Sequence, residues 1–101
     1  MPVYLDPIIP CHIKTRTGYV DGCTMWADEE GELQTLAVLA GIPLKWKQHS
    51  VSGMAFMNIS IPYRCKARAA GAVCLSEREA GRMHRERWAR REVYKNLQRV
   101  R

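Results

Sequence analysis

The stretch RMHRERWARR, residues 82–91, places five arginines and one tryptophan in ten positions. Guanidinium groups grip phosphates and carboxylates through paired N–H donors, and an indole among them can stack on a base or anchor a protein interface. On a helix, Arg78, Arg82 and Arg85 share one flank. Arg87, Arg90 and Arg91 spread further around, with Trp88 among them and Lys95 a turn beyond. These eight residues form the candidate partner-binding set. The competing reading is a solvated helix whose Arg stems cover apolar surface while Glu77, Glu79, Glu86 and Glu92 pair with them. A second set is Asp6, Asp28 and Arg64. Two carboxylates can hold Mg²⁺ for phosphodiester chemistry, and an arginine can neutralise the phosphate. The simpler reading, favoured here, makes Asp28 a helix N-cap and Asp6 part of an Asp-Pro turn.

Other chemistry lacks a motif. Cys11, Cys23, Cys65 and Cys74 include no C-x-x-C pair, so they are expected to be free thiols serving as small core residues. His12, His49 and His84 are scattered, and the seven glycines form no phosphate-cradling loop. No metal and no cofactor is therefore expected.

Charge is distributed unevenly. Residues 1–76 hold seven Lys/Arg against six Asp/Glu, whereas residues 77–101 hold nine against four. The net charge of +6 is thus a property of the C-terminal segment, which points to an acidic partner, either nucleic acid or an acidic protein face. With 101 residues, 47% of them apolar, the chain is sized for one domain over residues 1–101. No apolar run has the length of a bilayer span and MPVYLDPIIP lacks the pattern of a secretory signal, so a cytoplasmic protein with no membrane partner is expected.

The elements that must position these residues follow from patterning. PVYL reads as a strand ended by Asp6-Pro7, and residues 7–17 as irregular. A second extended stretch is expected around residues 22–26. After Asp28, Leu33, Leu36, Ala37 and Ala40 mark the buried stripe of a helix that Gly41 and Pro43 end. LKWKQ (44–48) alternates as a half-buried strand, and residues 54–60 read as extended. Ser60 is expected to cap a helix from Ile61 to Ala70, closed by Gly71, and AVCL reads as a buried strand. Ser76 and Glu79 form an S-x-x-E capping box for a last helix over 77–98, in which Met83, Val93, Tyr94, Leu97 and Val100 fall on one side and Arg87 and Arg90 interrupt it. The order predicts an α/β fold: one short sheet with about three helices, the C-terminal one basic.

MPVYLD, MWAD with GELQTLAVLAGIPLKWKQ, and ISIPYRCKARAAGAVCLSERE together resemble the phage and bacterial family called domain of unknown function 4031, over roughly residues 1–80. The resemblance implies a small soluble phage-encoded domain of unknown function, working in the host cytoplasm. Asp6, Asp28 and Arg64 match the family pattern. Thr24 stands where its members usually carry a histidine, and Phe56, Met57 and Asn58 stand in place of His-Tyr-Asp. Histidine and carboxylate supply ligands and titratable groups that Thr, Phe and Met do not, so these departures count against catalysis.

A helix-turn-helix over residues 67–87 is disfavoured, because Glu77 stands where the second helix needs an apolar lock and AVCL is strand-like. The expectation is a non-enzymatic binding protein, phage-encoded, whose basic C-terminal helix docks on nucleic acid or on an acidic host protein or nucleoprotein. An anti-defence or host-takeover role would suit such a protein. The alternatives are a metal-dependent nuclease or phosphoesterase using Asp6, Asp28 and Arg64, and a small-ligand-binding or structural dimer; both a monomer and a homodimer are compatible with the sequence.

Overall fold

The computed structural model describes residues 2–51 and 53–99, with side chains described as far as residue 90. Its spine is one ten-residue strand, β3 (Gly18–Ala27), which offers an edge to partners on each side. Along one edge, β2 (Ile9–Thr15) pairs with its first half and β1 (Val3–Leu5) with its second half, both antiparallel. Along the other edge lies β5 (Ala55–Ser60), followed by the two-residue β4 (Gln48–His49). The short β6 (Val73–Cys74) adds parallel to β1, which makes the sheet mixed. Three helices complete an α/β fold: α1 (Glu30–Ala40), α2 (Ile61–Ala69) and α3 (Glu77–Arg99).

Strand alternation sorts the side chains into two layers. Val3, Leu5, Cys23, Met25, Ala27, Met57 and Ile59 face one way and bury against Leu33, Leu36, Ala37 and Ala40 of α1 and Ala67 of α2. Tyr4, Trp26 and Phe56 face the other way and meet Leu75, Ala80 and Met83 at the start of α3. The sheet is thus covered on both faces.

Three helix ends follow the sequence logic, whereas Ser60 stands at the N-cap of α2 without the expected side-chain cap bond. Gly41 adopts φ 72°, and the N–H groups of Gly41 and Ile42 donate to Val38 O and Ala37 O, the paired bonds of a Schellman cap. Gly71 ends α2 in the same way, with Gly71 N donating to Arg68 O and Ala72 N to Ala67 O. At the start of α3, Ser76 N–H donates to Glu79 Oε1 at 3.2 Å and Glu79 N–H to Ser76 Oγ at 3.1 Å, the reciprocal capping box.

Four expectations are corrected. Residues 9–15 form a strand despite Pro10, because a bulge between Ile9 and Ile13 absorbs the proline, which has no N–H to pair. Cys11 there takes φ 53° and donates its N–H to Asp21 Oδ1. Residues 44–46 form a 3₁₀ turn and only 48–49 extend, since Pro43 fixes an entry from which a tight turn follows. AVCL contributes only residues 73–74, with Val73 half exposed at the sheet edge. Asp28 is not the cap of α1: Glu29 holds the N-cap position, with no side-chain cap bond, and Asp28 bonds elsewhere. The expected apolar roles of Val93, Tyr94 and Leu97 concern side chains outside the described ones, and Val100 lies outside the described residues.

Replacing Ser76 by Ala removes the acceptor for the Glu79 N–H and is expected to cost about 1 kcal/mol. Urea denaturation of the purified variant checks this, and an unchanged midpoint would show that the box contributes nothing.

Candidate functional site

The face of the sheet beneath α3 carries the chemistry. Tyr4 and Asp6 on β1 and the residue after it, Thr24 and Trp26 on β3, Asp28 just beyond it, and Phe56 and Asn58 on β5 share one parity across antiparallel pairs. They therefore project to one side. From above, α3 lowers Ala80, Met83, His84 and Arg87, an i, i+3, i+4, i+7 stripe.

Trp26 is the centre. It is fully buried, and its Nε1–H donates to Asp6 Oδ1 at 2.8 Å. The other carboxylate oxygen accepts from His84 Nε2 at 3.0 Å. The His84 ring packs on the indole at 4.8 Å between centroids, Tyr4 packs at the same separation, and the Arg87 guanidinium carbon lies 5.0 Å from the indole centroid. Arg87 reaches past the indole to an ion pair with Asp28. Asp6 and Asp28 are thus brought to one face, as expected, but neither forms a turn or a cap there: Asp6 bonds Trp26 and His84, and Asp28 bonds Arg87.

Arg64 does not join them. It belongs to α2 on the opposite layer, where its charge lies near the Cys23 thiol and its Nε is buried without a partner among the described residues. Desolvation pushes the Cys23 thiol up to about 11, opposed by the nearby Arg64 charge. Among the described residues no group of three or more His, Cys, Asp or Glu could hold a metal ion.

Thr24 and Asn58 face each other across β3 and β5, with Thr24 Oγ1 donating to Asn58 Oδ1 at 3.1 Å. His12 Nε2 donates to the same oxygen at 3.0 Å. Sequence reading missed the two histidines, His12 and His84, that complete these networks. For His84 a signal existed, since it falls in the 80, 83, 84, 87 stripe. His12 reaches Asn58 only because the bulge redirects β2.

Where α3 passes Asp28, a cleft of about 410 Å³ opens between helix and sheet, walled by His84, Arg87, Trp88 and Arg90 and by Asp28, Ser50 and Met54. Trp88 is 58% exposed. Further out, Arg78, Arg82 and Arg85 are exposed and fall within an arc of about 60° at 3.6 residues per turn. Among the described residues, Arg78, Arg82, Arg85 and Arg90 make no ion pair, so Arg87 alone of these five arginines is matched to a carboxylate. The side chains of Arg91 and Lys95 lie outside those described. No described helix is long and apolar enough to cross a membrane.

Comparison with family models, curated proteins and solved structures gives no match.

Two outcomes follow. Asp6→Ala strands the buried Trp26 N–H and is expected to cost about 1–3 kcal/mol in a chemical denaturation experiment, whereas Asp6→Asn, which keeps an acceptor, costs less. Cys23 holds its proton in the folded state to about 11 but releases it from 9.0 when unfolded. Stability is therefore full below pH 9 and falls as pH rises toward 11. Denaturation midpoints between pH 8 and 11 should show that fall, and a Cys23→Ala variant should show less of it.

Proposed function

We propose that this protein is a non-enzymatic nucleic-acid-binding module, with α3 as its docking element. The observation that carries the reading is the arc of exposed guanidinium groups on α3, at Arg78, Arg82 and Arg85, none of which makes an ion pair among the described residues. Phosphates spaced along a strand suit such a row, because each neutralised phosphate releases a counterion. Trp88 adds an aromatic surface to the same helix, and stacking tolerates any base. Arg87 serves differently: its guanidinium docks the helix on Trp26 and Asp28.

An origin in a phage, and action in the host cytoplasm against defence or for takeover, belong to the same reading. They rest on the resemblance of residues 1–80 to domain of unknown function 4031. The nuclease reading finds less support, because Asp6 and Asp28 are engaged within the chain and Arg64 lies across the sheet from them.

Fluorescence anisotropy with labelled single-stranded and duplex DNA tests this. Affinity is expected to fall linearly with salt on a logarithmic plot. Replacing Arg78, Arg82 and Arg85 together by Gln is expected to reduce the slope by about one unit per arginine. Recovery of one host protein from lysate regardless of nuclease treatment, with no DNA binding at low salt, would overturn the reading in favour of an acidic protein target.

A further inference from the structure

The cleft beside His84 has features that the outer arginine row lacks. Its volume, about 410 Å³, falls within the roughly 300–1,000 Å³ typical of small-molecule sites. One wall is the half-exposed indole of Trp88, and Arg87 and Arg90 line the same space. His84 stands among them with its Nε2 fixed by Asp6, so its ring is held in place, and its Nδ1 makes no hydrogen bond among the described residues. A flat aromatic surface next to two guanidinium groups and an imidazole matches a base joined to a phosphate.

Asp28 is the one acid in this lining, and it is bound to Arg87 with its own side chain about half exposed. A carboxylate in that position occupies the guanidinium that an incoming phosphate would use. We infer that the cleft is a nucleotide site in which Trp88 stacks the base, Arg90 and Arg87 hold the phosphate, and Asp28 is a built-in competitor displaced from Arg87 on binding. The inference deepens the nucleic-acid reading and rests on it for its ligand class: the outer row follows the strand and the cleft seats one nucleotide of it. During the exchange the second anchor of α3 is given up, and the Arg87 contact with the Trp26 ring and the His84–Asp6 bond keep the helix in place. Asp28, at the open rim, turns to solvent.

Adenosine 5′-monophosphate and a short oligothymidylate are the probes, with adenosine and inorganic phosphate as controls, read by tryptophan fluorescence and calorimetry. The nucleotide is expected to bind at least about tenfold more tightly than either control, because base and phosphate are held together. Arg90→Gln, a change at an exposed position, should weaken it by about tenfold. Asp28→Asn should tighten it several-fold by removing both the competing charge and its repulsion of phosphate. Trp88→Phe should remove most of the fluorescence response while calorimetry still detects binding. Equal affinity for the nucleotide and phosphate alone, or an Asp28→Asn variant that binds no tighter while its fold is intact by circular dichroism, overturns the site. Arg90→Gln guards against a folding artefact in Asp28→Asn: no loss there overturns the site independently. Oligothymidylate binding that depends on Arg78, Arg82 and Arg85 but is indifferent to Arg90 and Asp28 keeps the proposed function and rejects the cleft. Nucleotide binding without any strand binding rejects the proposed function and with it the strand as the cleft's ligand.

Discussion

A buried indole N–H must have an acceptor, and the layer under α3 is organised by that requirement. Trp26 lies next to the C-terminal end of the longest strand and is removed from water entirely. Leaving its N–H unpaired would cost about 1–3 kcal/mol, and Asp6 prevents this from the end of the neighbouring strand. A carboxyl acceptor that is itself largely buried needs further partners of its own, and His84 supplies one from the helix. The apolar part of the indole is then covered by Tyr4, His84 and the Arg87 guanidinium. One aromatic residue on β3 thus constrains β1, the position of α3 and the environment of two charged side chains.

Apolar contact alone would hold α3 only loosely in register, since Leu75, Ala80 and Met83 offer little shape for a long helix to lock onto. Two polar anchors one turn apart, His84 to Asp6 and Arg87 to Asp28, set both its rotation and its height above the sheet. Directional contacts of this kind add specificity more reliably than net stability. The rotation they impose decides which arginines face water. With 84 and 87 turned inward, 78, 82 and 85 turn outward, and 88 and 90 fall on either side of the inward row.

Much of the fold was legible in the sequence because its signals are local. The stripe Leu33, Leu36, Ala37, Ala40 before Gly41, the box Ser76–Glu79, and the proline-started helix after Ser60 each depend on a few neighbouring residues. The errors arose where tertiary context overrides local chemistry. A bulge accommodates Pro10 within a strand, a 3₁₀ turn replaces an alternating pattern at 44–46, and a distant arginine draws Asp28 away from the helix start. The site was legible in part. Asp6 and Asp28 share a face because strand parity requires it. Arg64, on a helix of the opposite layer, was beyond the reach of spacing arguments, as was His12, whose partner Asn58 lies 46 positions away.

The same logic explains why one helix can bear arginines of two kinds. Burying a guanidinium is tolerable only where charge and ring are both available to it, and Asp28 and Trp26 provide both at a single position. Arg87 alone meets that condition among the described arginines of α3, and its charge is cancelled within the chain. The others make no ion pair among the described residues, and Glu77, Glu79 and Glu86 lie just outside the arc that Arg78, Arg82 and Arg85 occupy, with Arg82 near enough to help lower the Glu79 carboxyl. Glu79 is further committed to the Ser76 backbone N–H, whose hydrogen bond holds its carboxyl below the usual range. The positive surface of α3 is therefore a consequence of how the helix is docked: the contacts that anchor one side fix the uncompensated charge on the other.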